Sequence, residues 1–409
     1  MPLPALRYLD VFQVEHEGEH YIGLNDPTGM VEEQVVLTPL AYYIAAHLDG
    51  LNCVAEIQAV LSKQFDGVTA REGDILAIVQ NLDARGFLKS DAFDIIRQRR
   101  LDDFRSAPAR PAHFAGKSYP GDGDELRAFL DQQFIRDGAP GECPEPRDGE
   151  LPHLPGLIVP HIDLHRGGHS YAHGYAELAR AGRPDTVIVF GVAHMAEPVP
   201  FILTRKDFDT PLGPVSCDHE ILDRLASACA WDPYEFELTH RTEHSVEFQV
   251  VMLRYLYGAD VKIVAVLCSM FVGEDGPKDP GEEQSIRAFL DACRECVTGL
   301  GKRVTVLAAA DLAHVGKRFG DPFDITPKII GAVARRDQDD LTFVHEIDAP
   351  AFYASVMKDK NARKVCGVNC IYAALKTLEG VASKGRPLHY GYAPDPAGGI
   401  VSFAAIALE

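Results

Sequence analysis

The chain has 409 residues, which exceeds what a single hydrophobic core usually supports, so two or more domains are expected. Its 60 acidic residues against 40 Lys and Arg leave a formal charge of −20, which disfavours nucleic acid as a partner. The apolar runs are shorter than the roughly 18 residues of a membrane span, and no signal peptide is evident, so a cytoplasmic protein without membrane contact is predicted.

The first hundred residues predict a small α+β domain. Two short extended runs, Tyr8–Val14 and His20–Leu24, flank a polar turn, which is typical of a β-hairpin. Three helix-period segments follow: Thr38–Leu48, Val54–Leu61 and Glu72–Arg85. Phe87 and Leu88 can then pair back as a strand, which completes a winged-helix-like plan. The residues VLTPLAYYIAAHLDG and LDARGFLKS resemble PqqD-like peptide-binding domains, and this resemblance implies a peptide partner for residues 1–95.

Residues 96–111 are rich in charge, Ala and Pro. This composition predicts a linker, with a connecting helix that runs into it. From Gly156 onward, short β-branched runs alternate with helix-period segments. The predicted strands are Leu157–Val159, Thr186–Phe190, Pro200–Leu203, Lys262–Leu267 and Val304–Ala310. The predicted helices are Gly123–Phe134, Tyr171–Arg180, Asp218–Cys229, Ser245–Leu256 and Glu282–Gly299. This alternation favours an α/β domain with a central sheet flanked by helices.

Three of the predicted strands are each followed by a histidine. His161 follows the first strand, His194 the second, and Asp311 with His314 the last. A single histidine in such a place is usually a capping or hydrogen-bonded residue. Because ligands bind beyond the carboxyl ends of the strands in α/β sheets, three together indicate a site for a divalent metal such as iron, copper or zinc.

A fourth polar group precedes the predicted helix at 246–256. Ser245 is its expected N-cap, so Glu243 and His244 are expected at the positive end of the helix dipole. If the helix crosses the sheet, both residues face the same rim as the histidines. The alternative interpretation is a polar cap on an ordinary helix.

The segment after the first strand carries further polar residues. Asp163, His165 and Arg166 are expected to line the mouth of a pocket, where Arg166 can meet an anionic group of a substrate. The glycine pair at 167 and 168 is expected to delay the start of the next helix. A single helix that contains His161, His165, His169 and His173, which are spaced four residues apart, is therefore not favoured.

Cys366 lies shortly before a predicted helix, Asn369–Leu378. A thiol at a helix N-terminus has a lowered pKa and can act as a metal ligand or a nucleophile. Simple packing is an equal alternative for this cysteine.

Seven ordered blocks between Ala112 and Glu409 resemble the MEMO family, whose fold is similar to that of the class III extradiol dioxygenases. The blocks are AHFAGKSYPGD, VPHIDLHRGG, FGVAHM, DTPLGPVSCD, TEHSVEFQ, AADLAHVGKRFG, and RRDQDDLTFVHEIDAPAFY with VCGVNCIYAAL. The resemblance implies a dioxygenase-like α/β domain over residues 112–409, after the small PqqD-like, winged-helix-like α+β domain.

The resemblance also implies roles for single residues. His161, His194 and Cys366 match the positions of metal ligands, whereas Asp311 and His314 match the other polar residues of the pocket. His314 would act as a general acid/base oriented by Asp311. A cysteine stands where the dioxygenases supply a carboxylate, so ring cleavage is not carried over. Iron is the expected metal, with copper or zinc as alternatives.

The predicted function is that of a metal-dependent, dioxygenase-like oxidoreductase. Its expected catalytic residues are His314, Asp311, Glu243 and His244. The resemblance implies radical-SAM and AMMECR-like partners, as in AmmeMemoRadiSam systems. Two alternatives are a non-catalytic metal- or peptide-binding scaffold, and a zinc-type hydrolase that uses a metal-activated water.

Overall fold

The computed structural model describes residues 1–65, 70–146, 151–271 and 279–409. The chain divides into two compact units, Met1–Ala107 and Pro108–Glu409. The elements of the N-terminal unit are β1 (Asp10–His16), β2 (Glu19–Asn25), β3 (Val35–Leu37), α1 (Pro39–Ala46), α2 (Val54–Gln64), α3 (Glu72–Ala84) and α4 (Asp91–Ser106). The strands form an antiparallel sheet in the order β1-β2-β3, with a core of its own beneath the helices.

Local chemistry explains the N-terminal elements. Glu17 and Gly18 both adopt positive φ at the β1–β2 turn, as a two-residue type I′ hairpin requires, so the predicted hairpin is confirmed. Thr38 caps α1 by accepting the Ala41 N–H at 3.2 Å. Leu88 pairs with Leu6 in an isolated antiparallel bridge.

The segment 96–111, predicted as a linker that a connecting helix enters, contains that helix: α4 is continuous to Ser106. The two units divide after Ala107, and Ala109 and Arg110 then form a short strand of the second unit. Arg110 is fully buried, whereas composition alone suggests a surface position for an arginine.

The second unit alternates strands and helices. Its elements are β4 (Ala109–Arg110), α5 (Gly123–Ile135), β5 (Gly156–Val159), α6 (Leu164–Arg180), β6 (Thr186–Val192), β7 (Phe201–Leu203), β8 (Asp207–Phe208), α7 (His219–Ser227), α8 (His244–Tyr257), β9 (Lys262–Cys268), α9 (Gln284–Gly299), β10 (Val304–Ala309), β11 (Asp311–Gly316), α10 (Pro327–His345), α11 (Ala349–Met357), α12 (Val368–Thr377), β12 (Gly385–Asp395) and β13 (Gly399–Leu408). Three 3₁₀ turns also lie within the described ranges: Glu237–Arg241, Pro280–Glu282 and Lys317–Phe319.

Over the described residues, eight strands form one mixed sheet. The order is β11-β13-β5-β10-β6-β9-β7, and β12 pairs with β13. Strands β5, β10, β6 and β9 are parallel, whereas the outer strands pair in antiparallel fashion. Val187 and Val189 of β6 pack with α6 and α8, while Ile188 and Phe190 pack with α9 and α12 on the other face. The prediction of a central sheet flanked by helices is confirmed.

Helix α6 begins earlier than its glycine pair suggested. Asp163 caps it, and the helix continues through both glycines. A Cβ on Gly168 would lie 2.0 Å from Gln133 Oε1 of α5, and one on Gly174 would lie 2.4 Å from Val159 Cγ1 of β5. The glycines therefore permit close packing of α6 between α5 and the sheet, and do not break the helix.

No helix in the described ranges is both long enough and apolar enough to cross a membrane.

Candidate metal centre

His161 lies directly beyond β5 and is buried. Its Nδ1 is 2.9 Å from the carbonyl oxygen of Ala309, at the end of the neighbouring strand β10. Because a carbonyl can only accept a hydrogen bond, Nδ1 carries the ring proton and Nε2 carries a lone pair. This Nε2 lies 3.2 Å from Cys366 Sγ. Burial lowers the pKa of His161, so the neutral ring is favoured.

His194 lies beyond β6 and is oriented by a carboxylate. Its Nδ1 is 3.0 Å from each carboxylate oxygen of Glu243, and its backbone N–H donates to Glu243 Oε2 at 3.1 Å. Burial lowers the pKa of His194, but the attraction of Glu243 outweighs it and leaves the pKa raised. A carboxylate behind one imidazole nitrogen presents the other nitrogen as a ligand, which is the usual arrangement at metal sites.

The N-terminus of α8 supplies that carboxylate. Glu243 is the N-cap and accepts the Ser245 N–H at 2.9 Å, so the prediction of Ser245 as the cap is wrong. Ser245 Oγ instead accepts the Val192 N–H at 3.0 Å and ties α8 to β6. Burial raises the pKa of Glu243, but His194, His244 and the helix N–H outweigh it, so the carboxylate stays ionised.

His244 completes this side of the rim. Its ring stacks on His194 with a centroid distance of 4.6 Å, and its Nδ1 is 3.3 Å from Glu243 Oε1. Burial lowers the pKa of His244 to about 4, so the ring is neutral near pH 7. Glu243 and His244 therefore face the rim that the strand-end histidines form.

Asp311 and His314 come after β10, as predicted, and lie on the next strand, β11. Asp311 Oδ1 accepts the backbone N–H groups of His161 and Ile162 at 3.0 and 3.2 Å. His314 Nδ1 lies 3.1 Å from the carbonyl oxygens of both Leu312 and Lys364. Two carbonyls, and not the Asp311 carboxylate, therefore orient His314, because Asp311 Oδ1 is engaged with the turn after β5. Burial lowers the pKa of His314.

Cys366 does not have the activated thiol that its position suggested. Helix α12 begins at Val368 with Gly367 as its cap, and the Cys366 thiol lies 3.8 Å from the Asp311 carbonyl oxygen. Desolvation, together with the Asp311 carboxylate, raises the pKa of Cys366 well above its usual range. The expectation of a lowered pKa is wrong because the thiol is turned inward, beside an anion. A bound cation would favour the thiolate.

Three overlapping sets of side chains bring potential ligand atoms within 4.8 Å of one another: His161, His194 and Cys366; His194, Glu243 and His244; Asp311, His314 and Cys366. The first set fits a metal best, because each histidine is hydrogen-bonded through Nδ1, which leaves Nε2 as the nitrogen that can bind a metal. The 3.2 Å between His161 Nε2 and Cys366 Sγ is near the edge of a tetrahedron with metal bonds of about 2.0 Å to nitrogen and about 2.3 Å to sulfur.

Residues 110–406, which include this whole centre, match a family model described as Memo-like protein. The chain belongs to the Memo-like family. It is 24% identical over 406 residues to a MEMO1 family protein of Aquifex aeolicus, a similarity that covers 98% of this chain and 99% of the relative and so includes the N-terminal unit. It is 30% identical over 301 residues to a MEMO1 family protein of Methanopyrus kandleri, covering 72% of this chain and 97% of the relative.

The three residues predicted to bind substrate lie at the start of α6 in this Memo-like chain. Asp163 accepts the Arg166 N–H at 3.1 Å and pairs with its guanidinium at 2.5 Å. Arg166 also lies 3.5 Å from Asp395, and the His165 ring packs against Phe129. Two carboxylates already face Arg166, so its expected contact with an anionic substrate would require displacing them.

Sequence reasoning missed a buried ion pair behind the α8 side of the Memo-like centre. Arg110 pairs with Glu247 and donates to the carbonyl oxygens of His240 and Glu243 at 2.6 and 2.8 Å. Glu247 also accepts the N–H groups of residues 113 and 114, and the Tyr119 hydroxyl. The available signal was an acidic residue in the first turn of a helix whose middle is mostly apolar.

Proposed function

We propose that this protein is a non-haem, metal-dependent oxidoreductase in which His161, His194 and Cys366 hold the metal. The observation that supports this is the convergence of two imidazole Nε2 atoms and one thiol from three separate strand ends and loops. Three protein ligands leave coordination positions for a substrate or a small oxidant. Two imidazoles and a thiolate suit iron, with copper and zinc as alternatives.

The surrounding residues have distinct roles in this proposal. When bound, the metal supplies Lewis-acid and redox chemistry at the rim. Glu243 holds His194 in the tautomer that presents Nε2, and the neutral His244 packs against the same ring. His314 presents its Nε2 as a proton acceptor, because Nδ1 donates to the two carbonyls. Asp311 fixes the turn that carries His161.

The metal content of anaerobically purified protein tests the first part of this proposal. We expect about one transition-metal ion per chain, and its loss in His161→Ala and His194→Ala. His173→Ala is the matched control. This histidine lies on α6, outside the three ligand sets, and its Nε2 contacts the Gly138 carbonyl oxygen. Absence of metal from the wild type, or full metal in both variants, would refute the assignment.

The reaction class needs a separate measurement. Iron-loaded protein is expected to consume oxygen with ascorbate as reductant, and zinc-loaded protein is not. His314→Asn should keep the metal but reduce uptake by about 100-fold, the usual contribution of a general acid/base. Hydrolysis of p-nitrophenyl esters by the zinc form, without oxygen uptake by the iron form, would favour the zinc-type hydrolase.

For the N-terminal unit we propose a PqqD-like, winged-helix-like domain that binds peptide by strand addition in a cytoplasmic complex. Strands β1 and β3 are the edges of its described sheet, and most of β1 is exposed. The proposed partners are radical-SAM and AMMECR-like proteins. A co-expressed partner should be captured by the full chain and lost when Met1–Ala107 is deleted, while metal binding persists. Capture by the shortened chain would assign the partner to the Memo-like part.

A further inference from the structure

The loop between α11 and α12 carries Cys366 and has an unusual backbone. Lys360, Asn361 and Lys364 adopt φ values of +58°, +53° and +55°. This left-handed region is disfavoured for residues with a Cβ, because the Cβ crowds the carbonyl oxygen. Such a conformation persists only where surrounding contacts impose it, so contacts around this loop must hold its backbone.

The carbonyl groups of two consecutive loop residues both contact His314. The Arg363 carbonyl accepts the His314 backbone N–H at 2.7 Å, and the Lys364 carbonyl lies 3.1 Å from His314 Nδ1. Two residues later, Cys366 Sγ lies 3.2 Å from His161 Nε2. One short loop therefore places both the proposed proton acceptor and one proposed metal ligand.

The Arg363 side chain ties this loop to α10. Its Nη1 pairs with Asp337 and its Nη2 with Asp340, and all three side chains are largely buried. Asp337 also accepts the Ser402 hydroxyl at 2.6 Å, and Ser402 Oγ in turn accepts the Ala313 N–H at 3.0 Å, next to His314. The contacts thus form a closed path from the loop through α10 and β13 to β11.

We infer that Arg363 is a positioning residue whose double ion pair to α10 sets Cys366 and His314 as one unit. The inference rests on the proposed function only for the roles of these two side chains as ligand and proton acceptor. The planar guanidinium spans two carboxylates, and a lysine ammonium cannot reproduce that geometry. Arg363→Lys is therefore expected to behave as a loosened variant, although it keeps the charge.

The fold is expected to survive the loss of Arg363. Burial raises the pKa of Asp337, so without its partner this carboxyl can take up a proton and need not remain a buried anion. Asp340 keeps Arg336 at 3.6 Å and the Ser355 hydroxyl at 2.6 Å. The main expected consequence is a loop that opens more often.

The first test uses metal-free, full-length protein. Alkylation of Cys366 by N-ethylmaleimide, followed by mass spectrometry, should be about tenfold faster in Arg363→Lys and Arg363→Met, because local opening exposes the thiol. Arg336→Met is the matched control, since Arg336 pairs with the same Asp340 but lies outside the loop. It should alkylate at close to the wild-type rate.

The second test loads the same proteins with Co²⁺ and records the thiolate-to-metal charge-transfer absorption. We expect this band in the wild type and in Arg336→Met, and its loss or weakening in the Arg363 variants. Wild-type alkylation rates together with a wild-type band in Arg363→Lys would overturn the inference, even if Arg363→Met fails to fold. A wild type without the band would count against the metal assignment, and the alkylation rates alone would then decide the positioning role.

Discussion

Each side of the candidate metal centre has a buried arginine behind it, but the two arginines contact different kinds of structure. On one side, Arg110 pairs with Glu247 behind the N-terminus of α8, which presents Glu243. On the other, Arg363 pairs with α10 and holds the loop that presents Cys366.

The α8 side is regular, since a helix N-terminus supplies N–H groups that fix the Glu243 carboxylate without strain. The loop side depends on left-handed residues, which are held by turn hydrogen bonds such as that from the Val365 N–H to Asn361 Oδ1 at 2.7 Å and not by a regular helix end. We therefore expect Arg110, behind a regular helix end, to contribute mainly to stability, and Arg363, behind an irregular loop, to contribute mainly to the position of that loop.

The largest expected effect is on the stability of the α8 side. Arg110→Met should reduce the free energy of unfolding by about 3–5 kcal/mol, because Glu247 is left as a buried, partly unpaired charge. Urea denaturation measures this loss. Arg224→Met, which breaks a half-exposed pair with Glu220, is the control and should cost less than about 1 kcal/mol.

Arg363→Met tests the same comparison. It should reduce the free energy of unfolding less than Arg110→Met does, because Asp337 can be protonated. Equal losses for the two variants would remove the distinction between the two sides.

The next effect is on metal affinity from the loop side. Cys366→Ser should weaken metal binding by about 100-fold or more, because it removes the sulfur ligand. This exceeds the effect expected when only a residue that hydrogen-bonds to a ligand is lost. Chelator competition measures the affinity. Cys143→Ser, at an exposed cysteine, is the control and should bind like the wild type. Unaltered affinity in Cys366→Ser would remove Cys366 from the ligand set.

A smaller loss of affinity is expected from the α8 side. Glu243→Gln should weaken metal binding by about 10-fold to 100-fold, because the amide orients His194 less strongly than a carboxylate does. The amide oxygen can still accept the Ser245 N–H, so the helix cap is kept. Competition with the same chelator checks the value. A loss larger than that of Cys366→Ser would make Glu243 a ligand itself.

The smallest effect isolates the strained backbone. Lys364→Gly should be more stable than Lys364→Ala by about 1 kcal/mol, because only glycine adopts the left-handed conformation without crowding. Both variants lose the ion pair with Asp321, so their difference reports the backbone alone. Thermal unfolding of the pair provides the measurement, and a more stable alanine variant would contradict the positive φ.

Much of the sheet and one part of the centre could be predicted from the sequence. The strand-end positions of His161 and His194 follow from a general property of α/β sheets, in which parallel strands end at one rim. Their distance from each other, 5.1 Å between ring centroids, follows from the pairing of β5 and β6 with β10.

The loop side could not be predicted, for physical reasons that are specific to it. Its geometry depends on the φ of residues such as Lys364, which are not glycine, and on pairs between Arg363 and acids more than twenty residues earlier. The raised pKa of Cys366 arises from burial and then from Asp311, which is distant in sequence, so local reasoning from a helix N-terminus gave the wrong sign. Strand β13 is apolar apart from Ser402 and was not assigned, because an apolar run of this length also suits a buried helix.

The order in which the chain can assemble this centre follows from the spacing of its residues. His161 and Cys366 are 205 positions apart, and His194 and Glu243 are 49 apart. Contacts that close such long loops have a high entropic cost, and they form late in folding. In the unfolded chain the proposed ligands are therefore dispersed, so a metal would bind the native state preferentially. If the proposed metal binds, a free concentration about 1,000 times Kd would stabilise the folded protein by roughly 4 kcal/mol, and the metal supply would then also influence how much of the chain stays folded.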